Sequence, residues 1–289
     1  MTGIFKNLSL TPEVKRIVIS KGTEYCYSGI YNDFTKNGTY LCRNCGLALF
    51  RSKDKFKSSS GWPSFDREIE NNVNKIQDSD KVRTELLCNK CEAHLGHAFY
   101  GEGYTKLNTR YCINSLALDF VDSETVTDTE EAIVTAGCFW GVEHLFIRLN
   151  GVLKTEVGYI GGFVDDPNYK LVCETNTGHV EALRIVYDPH IVKYTEIIQY
   201  FFEIHDFSQA NGQGGDIGDQ YLSKIFWFNN EQFVQATNII NLLENKGHKV
   251  ATKLEPVKSF WAAEDYHQKY YIKTGGEPYC HIRKKIFLK

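Results

Sequence analysis

One cysteine in the second half of the chain has the neighbours that a reactive thiol needs. Cys138 stands in the segment Gly137-Cys138-Phe139-Trp140, after an apolar run over residues 132–136 that predicts a buried strand and before residues at helical spacing. The thiol is therefore expected between a strand end and a helix start, where unpaired backbone N–H groups lower a thiol pKa towards neutrality. A buried and inert cysteine is the equally consistent alternative.

A glutamate further along the chain has a pattern typical of a proton donor. Glu181 follows His179 and is predicted to lie just before a strand over residues 182–187. A carboxyl group in an apolar, aromatic-lined pocket has a raised pKa and donates a proton at neutral pH. The alternatives are an exposed glutamate at a strand edge, or a cysteine hydrolase that pairs Cys138 with His179 within hydrogen-bonding distance.

The first half of the chain contains two CxxC pairs, Cys42–Cys45 and Cys88–Cys91. Four thiolates bind one tetrahedral zinc ion at about 2.3 Å and leave no open coordination position. The pattern therefore predicts one structural zinc, and no organic cofactor is expected. A redox-active CxxC or unligated buried thiols are the alternatives.

The same half has further residues whose types fit acid–base or thiol chemistry. On strand alternation, Arg110, Cys112 and Asn114 share one face, and a cation on that face lowers a thiol pKa. Histidines donate protons near neutral pH, although each residue taken alone is also consistent with a core or surface position. The candidates are Trp62, His94, His97, Arg110, Cys112 and Asn114.

The elements predicted around these residues divide the chain into two domains. Short apolar runs at residues 39–42, 82–88 and 116–120 predict a mainly β first domain, preceded by a helix over residues 11–19. In the second half, strands at 182–187, 222–228 and 250–254 alternate with helices at 195–205 and 231–246, which indicates an α/β or α+β fold. The acidic, Ser/Thr-rich segment 123–131 predicts a solvated linker between domains at 1–122 and 132–289.

Composition excludes several classes of protein. The net charge of -3 gives no electrostatic reason to expect nucleic acid or a membrane surface as a partner. No apolar run approaches the length of a membrane span and the first residues lack a signal-peptide core, so a cytoplasmic protein is expected. In that reducing compartment, nine cysteines indicate metal ligands and redox chemistry. The basic residues at 283–289 are expected to be a solvated extension.

Three motifs in the second half resemble the A-type peptide methionine sulfoxide reductases. They are Gly137-Cys138-Phe139-Trp140-Gly141, Gly178-His179-Val180-Glu181 and Gly215-Asp216-Ile217-Gly218-Asp219-Gln220-Tyr221, within a match over about residues 132–280. The resemblance implies a two-layer α/β sandwich with Cys138 as nucleophile and Glu181 as the acid. It also implies that the hydroxyls of Tyr169 and Tyr221 bind the sulfoxide oxygen and that Asp216 is a supporting carboxylate. Phe139 and Trp140 would form the pocket for the substrate methyl group, and Cys280 would be the resolving cysteine. Cys173 is interpreted as a bystander.

The first half resembles the B-type methionine sulfoxide reductases over most of residues 10–121. The matching motifs are Gly22-Thr23-Glu24, the two CxxC pairs, Gly61-Trp62-Pro63-Ser64-Phe65, His94-Leu95-Gly96-His97 and Arg110-Tyr111-Cys112-Ile113-Asn114-Ser115. The resemblance implies twisted antiparallel β-sheets stapled by zinc, with Cys112 as nucleophile. It also implies polar groups around the sulfoxide oxygen (His94, His97 and Asn114), a substrate contact at Arg110, and a wall for the substrate methyl group at Trp62.

The first half departs at one place from the family that it resembles. Many B-type reductases have a resolving cysteine just before the Gly-Trp-Pro motif, where this chain has Ser58-Ser59-Ser60. Cys26 is the cysteine of this half that remains after the zinc ligands and the nucleophile, and we predict that it resolves Cys112. Direct reduction of the sulfenic acid by thioredoxin or a small thiol is the alternative.

Together the resemblances imply an enzyme with two reductase sites for methionine sulfoxide, free or in proteins. The first half would reduce the R epimer and the second the S epimer, through sulfenic acid and disulfide intermediates that a thioredoxin-like dithiol reopens. The product is methionine, so the implied role is repair of oxidised proteins. The alternative from another class is a zinc-knuckle interaction module fused to a single A-type reductase.

Overall fold

The computed structural model describes residues 10–278 and 281–287. The chain divides into two compact units between Thr129 and Glu130. Each unit is built around its own hydrophobic core. In the part of the chain that is described, no helix has the length and apolar character needed to cross a membrane.

The first unit begins with a short helix, α1 (Pro12–Val18), as predicted. Thr11 caps it by accepting the Val14 N–H at 3.3 Å, and proline occupies the first turn, where its missing N–H costs no hydrogen bond. Val14, Ile17 and Val18 are its buried residues. Because their spacing puts these three side chains on one face of the helix, α1 packs through that face against the core of the first unit.

The first unit is otherwise built mainly from antiparallel strands. Among the described residues these form a sheet in the order β2-β1-β9 and a second sheet in the order β3-β4-β8-β7-β6-β5. The prediction of a mainly β first domain is confirmed. The strands are β1 (Thr39–Cys42), β2 (Ala48–Arg51), β3 (Lys55–Phe56), β4 (Ser64–Phe65), β5 (Val73–Gln77), β6 (Thr84–Cys88), β7 (His94–Tyr100), β8 (Thr109–Ile113) and β9 (Leu118–Val121).

The second unit contains a mixed sheet in the order β16-β15-β10-β12-β11-β17, in which only β15 and β16 pair in parallel. A hairpin of β13 and β14 lies outside this sheet. The strands are β10 (Glu130–Thr135), β11 (Val152–Ile160), β12 (Val180–Tyr187), β13 (Gly212–Gln213), β14 (Asp216–Ile217), β15 (Lys224–Trp227), β16 (Lys253–Pro256) and β17 (Phe260–Ala262). The helices are α2 (Phe139–Phe146), α3 (Tyr169–Glu174), α4 (Tyr194–Glu203), α5 (Asn230–Asn245) and α6 (Tyr270–Thr274).

Alternation along β10 shows how the second unit is layered. Ala132 and Val134 belong to the large core that includes buried residues of α2, α4 and α5. Ile133 points to the opposite face, where it joins a smaller cluster with Phe226 and Phe260. Helices therefore cover one face of the sheet, and the predicted two-layer α/β sandwich is confirmed.

The segment 123–131 differs from the solvated linker that its composition predicts. Val126 and Thr129 are buried, and the Thr129 hydroxyl donates to the Gly46 carbonyl. Glu131 lies in β10, where its carboxylate accepts a hydrogen bond from buried Arg184 at 2.9 Å. The segment therefore contains one carboxylate that is a partner for a buried cation and one hydroxyl that bonds to the backbone of the first unit.

The basic residues near the C-terminus also differ from expectation. The side chain of Arg283 donates two hydrogen bonds to Glu203 Oε2, at 2.9 and 2.7 Å. The other oxygen of buried Glu203 accepts the backbone N–H groups of Ile286 and Phe287, and both side chains pack against the core. Residues 283–287 are therefore attached to α4, since Glu203 supplies an acceptor that the local sequence of the extension does not reveal.

Candidate active sites

Cys138 lies where the sequence predicted it, between β10 and α2, as the N-cap residue of that helix. It is half-buried. Gly137 before it has φ +87, and Gln213 leaves no room there for a Cβ. A side chain at this position would be strained and would clash, so glycine allows the sharp turn that places the thiol at the helix start.

Glu181 lies within β12 instead of just before it, and its side chain is buried. Its Oε2 accepts the backbone N–H of Phe139, the residue after Cys138, at 3.0 Å. Burial raises the pKa of Glu181 to about 8; the Phe139 N–H opposes this shift and the charge of Asp216 adds to it. The carboxyl group is therefore mostly protonated at neutral pH and can donate its proton next to the thiol.

Two phenols and a second carboxylate surround this pair. Burial, together with the charge of Glu181, raises the pKa of both Tyr169 and Tyr221, and the thiolate form of Cys138 also acts on Tyr221. Both phenols therefore stay protonated and can donate hydrogen bonds to an oxygen in the site. Asp216 Oδ2 is buried and has no hydrogen-bond partner among the described residues. The sequence-predicted polar groups of the second half are thus brought together.

The apolar wall beside Cys138 is held by residues that the sequence analysis did not single out. Trp140 stacks on Tyr270 with a centroid distance of 3.8 Å and an interplanar angle of 5°. Its indole N–H donates to His267 Nδ1 at 2.9 Å. Phe139 is buried in the core, 5.1 Å from the His267 ring. These contacts fix the orientation of Trp140 at the edge of the site.

Glu264 supports Tyr169 through hydrogen bonds. Its carboxylate accepts the Tyr159 hydroxyl and the backbone N–H of Tyr169, each at 2.9 Å. It therefore fixes the start of α3, from which the Tyr169 phenol projects. Glu264 and His267 belong to the stretch Glu264-Asp265-Tyr266-His267-Gln268. This stretch also resembles the C-terminal end of the A-type reductases, and that resemblance is the signal by which the sequence could have indicated both residues.

Both ring nitrogens of His179 are hydrogen-bonded to backbone groups. Its Nδ1 accepts the Gly162 N–H at 3.3 Å and its Nε2 donates to the Val164 carbonyl at 2.8 Å. Burial lowers the pKa of His179, so the ring is neutral. Neither nitrogen is available to Cys138, and the geometry therefore opposes the cysteine hydrolase alternative.

Cys280, the predicted resolving cysteine of the second half, lies outside the described residues. On one side of it, Glu277 Oε2 lies 2.9 Å from Nε2 of buried His144 in α2. On the other side, His281 Nε2 donates to the Ala136 carbonyl, two residues before Cys138, at 2.7 Å. Residues 277 and 281 are therefore bound to α2 and to the segment just before Cys138, respectively. Cys173 interacts with the Tyr169 phenol and raises its pKa, so it borders the site.

In the first half, Cys112 lies in β8 between β4 and β7, opposite Ser64 and His97. It is half-buried, and its Sγ lies 3.9 Å from Ser60 Oγ. Gly96 in β7 has φ +156 and lies against the Cys112 carbonyl, which leaves no space for a Cβ. A glycine here allows the two strands to approach closely at Cys112.

The thiol pKa of Cys112 differs from the sequence expectation. Burial raises it, and the nearby Arg110 guanidinium lowers it only in part. Arg110 donates two hydrogen bonds to Glu102, at 2.7 and 2.9 Å, so a carboxylate partly neutralises its charge. The effect of desolvation on the thiol pKa is therefore larger than the effect of the Arg110 charge, and strand alternation in the sequence cannot reveal this balance.

His94 and His97 are brought to one face by a β-bulge in β7. Gly96 pairs with Leu86 and His94 with Leu87, so Leu95 is the extra residue. Without it, residues three apart would point to opposite faces, whereas the two rings lie 5.4 Å apart.

Each of these histidines also has a carboxylate partner that the sequence analysis missed. His94 Nδ1 lies 2.8 Å from Glu85 Oε1, and His97 Nε2 lies 2.8 Å from Asp78 Oδ2. Burial lowers the pKa of His94, and its Nε2 is buried without a partner among the described residues. One ring nitrogen of each histidine is thus held, which fixes the ring orientation.

Glu24 braces the wall of this site. Its carbonyl accepts the Trp62 indole N–H at 3.2 Å, and its backbone N–H donates to Asn114 Oδ1 at 3.0 Å. Asn114 Nδ2 in turn donates to the Leu95 carbonyl at 3.1 Å. Asn114 was predicted to face the sulfoxide oxygen, but its amide is bound mainly to backbone, which leaves one N–H for substrate. The family motif that contains Glu24 was the signal for this contact.

Cys26, the predicted resolving cysteine of the first half, is exposed. A Cβ added to Gly61 would lie 2.8 Å from the Cys26 Cβ. Gly61 follows Ser60, whose hydroxyl contacts Cys112. Cys26 therefore borders the loop that touches Cys112.

The four CxxC cysteines form one buried cluster with all sulfurs within 4.8 Å of one another. Cys42 and Cys91 are 3.7 Å apart and Cys45 and Cys88 are 3.6 Å apart. A tetrahedral zinc with Zn–S bonds of about 2.3 Å requires sulfurs roughly 3.8 Å apart, so the arrangement is compatible with structural zinc. The neighbouring sulfurs raise the pKa of Cys42, which a bound cation would reverse.

Two thiols in separate units, each next to proton donors and an aromatic wall, define the class as a thiol-dependent oxidoreductase. The family model described as peptide methionine sulfoxide reductase matches residues 130–289, and the SelR domain model matches residues 10–122. The chain belongs to the peptide methionine sulfoxide reductase family. It is a fusion of a B-type domain, the SelR domain, with a C-terminal A-type domain.

Individual relatives agree with this assignment. The peptide methionine sulfoxide reductase MsrA of Sulfolobus acidocaldarius is 44% identical over 165 residues, which cover 55% of this chain and 94% of the relative. The peptide methionine sulfoxide reductase of Solanum lycopersicum is 44% identical over 158 residues, or 54% of this chain and 81% of the relative. The structure of reduced Mxr1 from Saccharomyces cerevisiae aligns with a TM-score of 0.52 and 35% identity, over 54% of this chain and 92% of its own. The enzyme is thus a methionine sulfoxide reductase whose B-type half acts on the R epimer and A-type half on the S epimer.

Proposed function

We propose that Cys138 and Cys112 are the nucleophiles of two independent reductase sites. In each site a thiolate attacks the sulfoxide sulfur while an acid protonates the sulfoxide oxygen. A bond forms between the cysteine sulfur and the substrate sulfur as the protonated oxygen leaves as water. That water then attacks the cysteine sulfur and breaks the new sulfur–sulfur bond, so that methionine leaves, a proton is released and the cysteine becomes a sulfenic acid. The cysteine sulfur is oxidised by two electrons and the substrate sulfur is reduced by two.

The observation that carries the proposal is the buried Glu181 carboxyl, bonded to the residue after Cys138 and with a pKa of about 8. Glu181 donates its proton to the sulfoxide oxygen, and Tyr169 and Tyr221 donate hydrogen bonds to the same oxygen. Trp140 provides the apolar wall for the methyl group. Asp216 disfavours ionisation of Glu181 and so keeps the acid protonated.

In the first half we propose that His94 and His97 contact the sulfoxide oxygen, and that His97, as an imidazolium beside Asp78, donates the proton. Their carboxylate partners, Glu85 and Asp78, hold one nitrogen of each ring and leave the other for the substrate oxygen. Trp62 forms the apolar wall, and Arg110 supplies a positive charge near the sulfur. Asn114 positions the Glu24 backbone and has one N–H left for substrate.

We also propose one structural zinc, bound by Cys42, Cys45, Cys88 and Cys91. It would hold the loops that follow β1 and β6, and no step of the reaction passes through it.

Recycling of both sites uses a second cysteine in this proposal. Cys26 condenses with the sulfenic acid of Cys112, and Cys280 with that of Cys138, each releasing water and forming a disulfide. A thioredoxin-like dithiol then reopens the disulfide by exchange. This recycling fits a reducing compartment such as the cytoplasm.

A single-turnover experiment tests the proposal. Reduced enzyme is mixed with racemic peptide methionine sulfoxide without reductant, and the remaining epimers are separated by chiral chromatography. The expected burst is about one equivalent of R and one of S epimer per chain, followed by disulfides Cys26–Cys112 and Cys138–Cys280 in peptide maps. Consumption of the S epimer alone would instead support the zinc-module alternative for the first half.

Substitution Glu181→Gln is expected to slow reduction of the S epimer by about 10²–10⁴-fold, because glutamine keeps the shape but has no acidic proton. The wild-type carboxyl is protonated below its pKa of about 8 and ionised above it. The wild-type rate for the S epimer should therefore fall as pH rises past about 8, and the variant should lack this decline. The pH dependence of kcat for the S epimer measures both effects.

Two controls accompany this prediction. The R-epimer rate of the same variant should remain at the wild-type value. Glu255→Gln removes a carboxylate of the same sheet that pairs with Lys224, and it should leave the pH profile unchanged. A Glu181→Gln enzyme that keeps the alkaline decline would rule out Glu181 as the acid.

A further inference from the structure

Three serine hydroxyls form a hydrogen-bonded chain beside the thiol of Cys112. Ser60 Oγ lies 3.9 Å from Cys112 Sγ and 2.8 Å from Ser58 Oγ. Ser58 Oγ in turn lies 2.7 Å from Ser64 Oγ, and Ser64 is the residue opposite Cys112 in β4. This series of hydrogen-bonded hydroxyls therefore begins at the Cys112 sulfur and ends on β4, the strand next to Cys112.

The direction of these hydrogen bonds depends on the charge of the sulfur. While Cys112 is a thiol, it donates to Ser60 Oγ, and Ser60 donates to the Trp62 carbonyl at 3.4 Å. A thiolate can only accept, so the Ser60 hydroxyl can turn its hydrogen from the carbonyl to the sulfur. Ser64 Oγ still donates to the Trp62 carbonyl at 3.3 Å, so this carbonyl keeps a hydrogen-bond partner.

The Ser60 oxygen is held in place for this exchange. It accepts the Trp62 backbone N–H at 3.4 Å and contacts Ser58 Oγ, while Ser58 Oγ also accepts the Ser60 N–H at 3.4 Å. We propose that Ser60 stabilises the Cys112 thiolate by donating this hydrogen bond, and that Ser58 and Ser64 are positioning residues for the Ser60 hydroxyl. The inference rests on the proposed role of Cys112 as nucleophile.

The surroundings of Cys112 explain why a donor is needed at this point. Burial disfavours the thiolate, and the Arg110 charge is shared with Glu102. The hydrogen bond from Ser60 acts with Arg110 to lower the pKa of Cys112. A neutral donor that can reverse its direction costs less desolvation than a second buried cation.

The test compares Ser60→Ala with its parent in a Cys138→Ser background, where only the first site reacts. Alkylation of Cys112 by iodoacetamide is followed against pH, with the modified peptide identified by mass spectrometry. The alkylation midpoint should rise by about one pH unit, and kcat/KM for the R epimer at pH 7 should fall about ten-fold. At a pH above the new midpoint, kcat/KM should recover towards that of the parent, which a merely structural defect would not do.

The chain offers matched controls for this test. Ser59→Ala removes the neighbouring hydroxyl, which contacts Tyr104 at 3.3 Å and not Cys112, and should leave the midpoint unchanged. Ser60→Thr keeps a hydroxyl and should restore the parent midpoint, whereas Ser58→Ala should give a smaller shift in the same direction. Zinc content equal to that of the parent shows that each variant has folded.

An unshifted midpoint in Ser60→Ala would overturn the inference, as would equal shifts in Ser60→Ala and Ser59→Ala. The proposed function fails in a different way, because a parent that reduces no R epimer refutes Cys112 as nucleophile. The alkylation profile would still report in that case on the Ser60 hydrogen bond.

Discussion

Replacement of Cys138 by serine should abolish reduction of the S epimer and leave reduction of the R epimer at the wild-type rate. Cys112→Ser should have the reciprocal effect. A serine hydroxyl is not ionised at neutral pH, so loss of the nucleophile is expected to cost roughly 10⁴-fold or more in rate. The measurement is chiral product analysis of racemic peptide methionine sulfoxide with excess dithiothreitol, which removes any dependence on the resolving cysteines.

A matched control separates loss of the nucleophile from a general effect of removing a thiol. Cys173→Ser changes a half-buried cysteine that borders the same site, and it should retain most of the S-epimer activity. If Cys112→Ser still reduced both epimers, the first half would not be a reductase. Loss of both activities in either single variant would contradict two independent sites.

Loss of zinc should unfold the first unit while the second stays active. Structural zinc sites of this kind contribute roughly 10–16 kcal/mol to folding, which exceeds the stability of most small domains. Cys88→Ser, or exhaustive chelation, should therefore remove R-epimer activity together with the bound zinc. Zinc content by elemental analysis and the two epimer rates measured on the same sample test this expectation.

Cys26→Ser is the corresponding control for the zinc prediction. It removes an exposed cysteine outside the cluster, and zinc content and dithiothreitol-supported R-epimer activity should both persist. A Cys88→Ser enzyme with full R-epimer activity would show that the cluster is dispensable for the fold.

Local patterns in the sequence predicted most of the framework that holds the sites. The Thr11-Pro12 helix start, the strand of residues 39–42 and the placement of Cys138 between a strand and a helix are all present. These features depend on neighbours within a few residues, which periodicity and capping rules capture. The two CxxC pairs were predictable because their spacing alone is a metal-ligand pattern.

Features that depend on distant residues were not predictable in this way. Glu181 is buried within β12, and its hydrogen bond comes from the Phe139 N–H, which is far away in sequence. The bulge at Leu95 becomes apparent only from pairing with β6, and the attachment of residues 283–287 depends on Glu203 in α4. The pKa of Cys112 results from desolvation by the whole unit, which outweighs the single cation that alternation identifies.

The burial of Val126 and Thr129 and the pairing of Glu131 with Arg184 determine how the enzyme can be dissected into halves. A cut after residue 122 would remove from the first half the Thr129 hydroxyl that donates to the Gly46 carbonyl. A cut after Glu131 would leave Arg184 without a main partner, and breaking a buried ion pair in this way costs about 3–5 kcal/mol. Limited proteolysis or separate expression should therefore yield two self-sufficient fragments when the break falls between Thr129 and Glu130, and not when it falls after residue 122 or after Glu131.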